Sequence, residues 1–186
     1  MTEKHQEHFI EIAQRVGAEV REVADLQAAA QYISSISKGT TLVPETPLAK
    51  KHNLRSLLTA EGIDVFSGNF RKAGHVPEGG VTFCNFCMAD SGTVVLESTD
   101  EDIRLATTLP EFHFVIVDPV KILEDNLAAI PTMTRLHEGN DPRFVAYITG
   151  PSRTADVERV LTIGCHGPRE LHILLVNNIS TDLMEN

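Results

Sequence analysis

Gly150-Pro151-Ser152-Arg153-Thr154-Ala155-Asp156-Val157-Glu158 is the stretch whose reading decides the fold. Just upstream, Phe144-Val145-Ala146-Tyr147-Ile148 has the β-branched and aromatic content of a strand. Just downstream, Val157, Val160, Leu161 and Gly164 recur at helical spacing and give one narrow face to a core. Gly150 and Pro151 break regular structure between them, and Ser152 or Thr154 is suited to cap the new helix by accepting from its first-turn amides. A strand, a tight turn and a helix start make a βα unit. In open α/β sheets, ligands settle outside the carboxyl ends of the strands that such units supply.

Working outward, Leu171–Val176 reads as a last apolar strand, and Phe112–Val117 as another that ends at Asp118-Pro119. Thr93–Leu96 follows a Ser91-Gly92 turn and reads as a buried strand. Val120 to Ile130 is expected to be a helix, with a loop from Pro131 to Arg143. Thr40–Val43 is a short β-branched strand closed by Pro44. Pro47 then starts a helix through Leu48, Leu54, Leu57 and Leu58 to Gly62. The aperiodic segment 68–80 reads as a loop. Nearer the start, Phe9, Ile12, Ala13 and Val16 share a face of a first helix over Glu3 to Arg15. Asp25 offers an N-cap to an alanine-rich second helix that stops toward Gly39. Near-continuous apolar strands alternating with helices predict an α/β fold, a mostly parallel sheet flanked by helices. The expected organisation is a helical segment 1–38 packed on an α/β domain 39–186, together forming a single domain.

Composition excludes several classes of function. The formal charge of −10 leaves no basic stripe to displace counterions from phosphates, so no nucleic-acid partner is expected. No apolar run approaches the roughly 20 residues that cross a bilayer, and the first residues lack an export signal, so no membrane insertion and a cytoplasmic location are expected. Three cysteines make a poor disulfide framework and fit a reducing compartment.

Five constellations carry possible chemistry. Ser152, Arg153 and Thr154 at a helix start form either an anion site for a carboxylate or phosphate, or a plain cap with Arg153 paired to Asp156 or Glu158. In Cys165-His166-Gly167-Pro168-Arg169, His166 is a candidate acid or base and Arg169 a candidate carboxylate clamp; the competing reading is a rigid turn. Asp90-Ser91-Gly92-Thr93 joins a carboxylate to two hydroxyls around a glycine free to take positive φ, with Asp90 either a catalytic candidate or the anchor of an Asx turn. Arg104 is a candidate partner for a substrate carboxylate, or a surface ion pair. Cys84-Asn85-Phe86-Cys87 has the spacing of a metal, cluster or redox pair, and Cys165 and His166 are the obvious further ligands; as buried cysteines they would be small hydrophobes. His113, inside an apolar strand, reads as a satisfied core histidine. No G-x-G-x-x-G fingerprint appears, so no cofactor is expected.

The stretch 150–158 with Gly164–Leu171, and the block Ala89–Leu96 with Arg104 and Leu109-Pro110, resemble the two motifs of the LUD-domain family. Family members usually carry Thr where this chain has Ser91, and the Cys84/Cys87 pair lies outside the resemblance. The resemblance implies the fold superfamily shared by glucosamine-phosphate deaminase, ribose-phosphate isomerase and the CoA-transferases. It also implies a cluster-free component of the system that oxidises L-lactate to pyruvate, working beside iron–sulfur partner subunits. It draws Ser91, Gly92, Thr93, Arg104, Ser152, Arg153, Thr154 and Arg169 toward a small carboxylate. The alternatives are a protein acting on a phosphorylated or CoA-linked metabolite, and an assembly subunit without turnover that exposes an apolar patch on its first helices.

Overall fold

A computed structural model describes residues 2–73, 77–139, 141–154, 162–163 and 167–186. The chain runs α1 (Thr2–Arg15), β1 (Glu19–Val23), α2 (Leu26–Ile36), β2 (Thr40–Leu42), α3 (Pro47–Lys51), α4 (Leu54–Ala60), β3 (Asp64–Val65), β4 (Gly79–Phe83) and β5 (Phe86–Met88). It continues through β6 (Thr93–Glu97), α5 (Glu101–Thr108), β7 (Phe112–Val117), β8 (Ile122–Leu123), α6 (Asn126–Leu136), β9 (Val145–Ile148), β10 (Arg153–Thr154), β11 (Thr162–Ile163) and β12 (Glu170–Val176).

The most apolar runs, β7 and β12, pair in parallel at the centre of a six-stranded sheet of order β1-β12-β7-β4-β2-β3, and every pairing in it is parallel. Their side chains alternate between two covered faces, which is why the strands read as unbroken hydrophobic runs. Phe114, Ile116, Leu174 and Val176 meet α2, α3 and α4 through Ile33, Leu48, Leu54 and Leu58. Val115, Val117, Ile173 and Leu175 instead meet Phe9 and Ala13 of α1 and Val94 and Leu96 of a second sheet. That sheet has the order β8-β5-β6-β9, and β6 runs antiparallel to both its neighbours. Beyond it, α6 packs Ala129 and Leu136 onto Phe86, Met88 and Val95. This is an α/β fold with a mostly parallel central sheet flanked by helices.

The structure corrects several expectations. The segment 1–38 is not helical throughout, because β1 lies between its two helices and forms the edge of the main sheet against β12. Asp25 does cap α2, its carboxylate accepting from the Ala28 amide at 2.8 Å. The helix from Pro47 is split in two where Asn53 takes a left-handed φ of 49°. The loop expected over 68–80 includes a 3-10 turn at Phe70–Lys72 and the start of β4. Gly79 and Gly80 read as breakers, yet Gly80 lies in the strand because the Ala106 carbonyl of α5 sits where a side chain would be. Val120 to Ile130 is not one helix: a 3-10 turn and β8 come first, and α6 starts only at Asn126, capped by Asp125, and runs on through Pro131. Pro131 lies on the exposed side beside Ile130, where a carbonyl freed by the missing N–H can be hydrated.

The stretch 150–158 departs most from expectation. The strand before Gly150 is present as β9, but it pairs antiparallel with β6 in the second sheet and supplies no strand to the parallel one. Thr154 does not open a helix; Arg153–Thr154 is extended and pairs with Thr162–Ile163. β-branched residues at three of these four positions favour the extended backbone. Residues 155–161 and Gly164 of the expected helix lie outside the described residues.

Candidate functional site

A cleft of about 370 Å³ opens on the face of the main sheet that carries α1 and the second sheet. Its walls are the end of α5 at Thr107 and Thr108, the strand β9, the turn 150–153 and the segment Gly167-Pro168. His113 and Leu171, paired across β7 and β12, also line it. The cleft therefore lies over the amino ends of these strands, not the carboxyl ends.

The turn is held at both ends. The Ser152 amide donates to the Pro168 carbonyl at 2.9 Å, which ties the wall after β9 to the approach to β12. Arg153 reaches back and donates through Nη2 to the Val16 carbonyl at 2.6 Å. Placing a guanidinium on the last carbonyls of α1 is favourable for the helix dipole. Arg153 is the one charged side chain among the described residues lining the cleft.

The Asp90-Ser91-Gly92 turn joins β5 to β6 and touches the cleft through hydroxyls. Thr93 Oγ1 donates to Ser91 Oγ at 2.9 Å and lies 2.7 Å from Thr149 Oγ1, and Thr149 lines the cleft. Gly92 takes φ 63°, and a Cβ there would sit 2.6 Å from the Ala13 amide nitrogen, so α1 lies directly on the turn. This close approach requires glycine. Asp90 is exposed on the same turn and lies outside the cleft lining.

Sequence reasoning passed over His113. Its ring is 1% exposed, Nε2 lies 2.9 Å from Thr82 Oγ1, and Nδ1 has no hydrogen-bond partner among the described residues. Burial first, and the neighbouring His172 second, push its pKa from 6.5 down to about 3, so the ring is neutral at physiological pH. An unpaired buried polar atom costs roughly 1–3 kcal/mol. The apolar neighbours in Phe112–Val117 hid this residue. The Thr82 hydroxyl, two residues past the Gly80 that pairs with His113 on a strand that was itself missed, was the absent clue.

Other candidates are placed elsewhere. Arg104 donates to the carbonyls of Ser98 and Thr99 and stacks 4.9 Å over the Phe144 ring. Arg169 pairs with Glu111 at 2.7 Å and Glu170 at 3.3 Å and packs over Phe112. These contacts fasten loops to strands and leave neither guanidinium aimed at the cleft. Cys84 and Cys87 are buried thiols with sulfurs 3.9 Å apart among the apolar residues of the inner layer. Burial, then the bond to Cys84, drives the Cys87 pKa well up. Among the described residues, no three His, Cys, Asp or Glu side chains are placed to hold a metal ion. Cys165 and His166 lie outside the described residues, as do the side-chain contacts of Thr154.

A larger cleft of about 970 Å³ lies at the carboxyl ends of β7 and β12, where Asp118, Asn177 and the following tail line it. Several of the polar groups in and beside it already have partners within the fold. Asp118 accepts from the Ile179 amide at 2.8 Å, and the buried Lys121 donates to the Glu185 carbonyl at 2.8 Å. With Glu3, Asp182 and Glu185 on its walls, it disfavours anions. The smaller cleft, with its guanidinium and hydroxyls, is the better candidate for an anion.

The model of the LUD domain family matches residues 6–176 of the chain. Lactate utilization protein C of Bacillus subtilis (strain 168) is 32% identical over 162 residues, covering 80% of this chain and 67% of that protein. The protein of the same name from Geobacillus thermodenitrificans (strain NG80-2) is 28% identical over 167 residues, with the same two coverages. The chain thus spans about two thirds of the length of these relatives. A crystal structure of a DUF162 family protein from Deinococcus radiodurans superposes with a TM-score of 0.69 at 16% identity, covering 95% of this chain and 98% of that one. That likeness shows the fold alone.

Proposed function

Because the chain belongs to the LUD-domain family, we propose that it is a lactate-utilization protein of the protein C kind, acting in the oxidation of L-lactate to pyruvate beside iron–sulfur partner subunits. The observation that carries this reading is its 32% identity, over 80% of the chain, to a relative named lactate utilization protein C. The face cleft is the ligand site in this proposal, taking a small carboxylate between Arg153, Ser152 and the hydroxyls that lead back to Ser91. The names of the relatives do not favour a phosphorylated or CoA-linked metabolite, or a subunit without a ligand. For the latter, the large exposed apolar side chains among the described residues are Leu109, Val120, Leu127, Ile130, Phe144 and Tyr147, and none is on the first helices.

The same proposal places the fold in the superfamily of glucosamine-phosphate deaminase, ribose-phosphate isomerase and the CoA-transferases; the parallel sheet flanked by helices supports this. It places the protein in the cytoplasm, and among the described residues no helix is long and apolar enough to cross a membrane. Isothermal titration with L-lactate and pyruvate, alone and with the iron–sulfur subunits of a lactate-oxidising system, tests the function. Binding of either acid, or of the subunits, is the expected result. Silence in every combination refutes it.

A further inference from the structure

We infer that the open edge of β9 is a contact between two copies of this chain: Phe144-Val145-Ala146-Tyr147-Ile148 pairs antiparallel with the same stretch of a second copy, about a two-fold axis at Ala146. The pairing joins the smaller sheets of the two copies into one and does not depend on what the face cleft binds.

Backbone register fixes which groups are free. In an antiparallel ladder, successive residues turn their N–H and C=O alternately toward one neighbour and toward the other. β9 pairs with β6 from Val94 opposite Ile148 to Glu97 opposite Val145, and one step further the Ser98 amide donates to the Phe144 carbonyl at 2.7 Å. Phe144, Ala146 and Ile148 therefore point their backbone groups at β6, and Val145 and Tyr147 point theirs away. β6 shows the same alternation on its β5 side, where the Val95 carbonyl accepts from the Asn85 amide at 2.9 Å and the Glu97 amide donates to Asn85 Oδ1 at 2.6 Å. β9 is the last strand of its sheet, so among the described residues no strand meets the outward groups of Val145 and Tyr147.

Proteins block such edges against pairing with their own copies by charge, proline, short length or a covering element. The other outer strands of the two larger sheets are blocked in these ways. β1 carries Glu19, Arg21 and Glu22; β3 is two residues long and includes Asp64; β8 is two residues long and lies against α1 and α6. β9 has no charge and no proline, and Phe144 and Tyr147 are 56% and 51% exposed along it.

The stretch is also complementary to itself. Set antiparallel about Ala146, it places Val145 opposite Tyr147 of the second copy, and Tyr147 opposite Val145 of that copy, each pair exchanging both of its backbone bonds. On the other face Phe144 falls opposite Ile148, and Ala146 meets itself, where small side chains suit the close approach of a non-hydrogen-bonded pair. Every larger pair joins an aromatic to a β-branched residue, a favourable cross-strand combination. α6 carries the apolar contact beyond the strand: Tyr147 donates to Met133 Sδ at 3.1 Å, and the exposed Ile130 and Leu127 follow Met133 three residues apart along the same side of the helix. A two-fold pairing of this kind is the commonest form of assembly between identical chains.

Sedimentation velocity of the full chain across micromolar concentrations reads the assembly, and hydrogen exchange followed amide by amide by NMR places it. A dimer is expected to form as the concentration rises. The amides of Val145 and Tyr147 should slow with it, and those of Ala146 and Ile148, bonded to β6, should be slow at every concentration. Ala146→Glu and Ala146→Lys each set like charges against each other at the axis and should weaken the dimer by about tenfold or more. Mixing the two variants should restore it, because the axis then pairs opposite charges. A chain that stays monomeric overturns the inference and leaves the edge to a strand of another protein. So does a dimer in which Val145 and Tyr147 exchange freely, a monomer in which they are already protected, or a mixture of variants that associates no better than either alone. Exchange in the wild-type chain decides the matter where a variant fails to fold.

Discussion

Acid should unfold this protein through His113, and the effect can be sized. The ring is buried on β7 with a folded-state pKa of about 3 against an ordinary 6.5, chiefly because burial penalises the charged form. In the unfolded chain it takes up a proton near pH 6.5; in the folded chain it does not until about pH 3. The unfolded state therefore binds more protons throughout that window, and stability falls as the pH is lowered through it. Above pH 6.5 the contribution is complete. Each pKa unit corresponds to about 1.4 kcal/mol, so roughly 2.5 kcal/mol is lost between pH 7 and pH 4.5. Carboxylates and His172 also titrate there, so the informative quantity is a difference. Urea unfolding of the wild type and of His113→Gln at pH 7, 5.5 and 4.5 gives it directly. The wild type should lose about 2.5 kcal/mol more than the variant over that range. Parallel losses in the two proteins would refute the reasoning that a neutral imidazole is buried on β7.

Three further outcomes follow from the packing. Gly92→Ala should destabilise the fold by about 3 kcal/mol, since a Cβ at φ 63° would press on the α1 backbone; thermal unfolding checks this, and a change below about 0.5 kcal/mol rejects it. Lys121→Met should raise stability by about 1 kcal/mol at pH 7, because the buried amine bonds carbonyls and makes no salt bridge among the described residues, and burial lowers its pKa against the opposing pull of Cys84, Glu185, Asp182 and Asp118. The gain should shrink as the pH rises from 7 toward the ordinary lysine value of 10.5, because the amine in the fold loses its proton before the amine of the unfolded chain does, and urea curves across that range read it. Iodoacetamide at pH 8 should leave Cys84 and Cys87 unmodified in the native protein and alkylate both in urea, because both are buried and the Cys87 thiol is held protonated. Peptide mapping that finds either residue alkylated in the native protein would contradict this.

The central strands were legible because burial on two faces writes a continuous apolar run, as in Phe112–Val117 and Leu171–Val176. Caps were legible for the same local reason: Asp25 sits one residue before the first helical position and bonds its own turn. What failed was non-local. β1, with alternating charge at Glu19, Arg21 and Glu22, is a strand only because β12 pairs beside it. β4 begins with two glycines whose missing side chains are filled by α5 and Thr41. The Phe144–Ile148 run looks like any other apolar strand, and nothing in its composition says that it will pair with β6 and not with β12.

The same distinction bears on where the site lies. The general rule for α/β sheets puts ligands at the carboxyl ends of the strands, and the Ser152 turn was expected there. In this chain those ends are crossed by residues 177–186, whose backbone already satisfies Asp118, Lys121 and Asn85. A carboxylate about 8 Å from a bound monoanion costs it roughly 2 kcal/mol at an effective dielectric constant near 20, and four acidic residues line that cleft against one lysine. On the opposite side of the balance, the second sheet lays β9 and its turn over the amino ends of β7 and β12. There Thr149 and Arg153 of the turn after β9 and the buried His113 of β7 line one cleft, and the Thr149 hydroxyl lies 2.7 Å from that of Thr93 on β6. The family motif and the face cleft share the turn 150–153. The architecture moved that turn to the other end of the sheet, and it brought in a histidine that no motif contains.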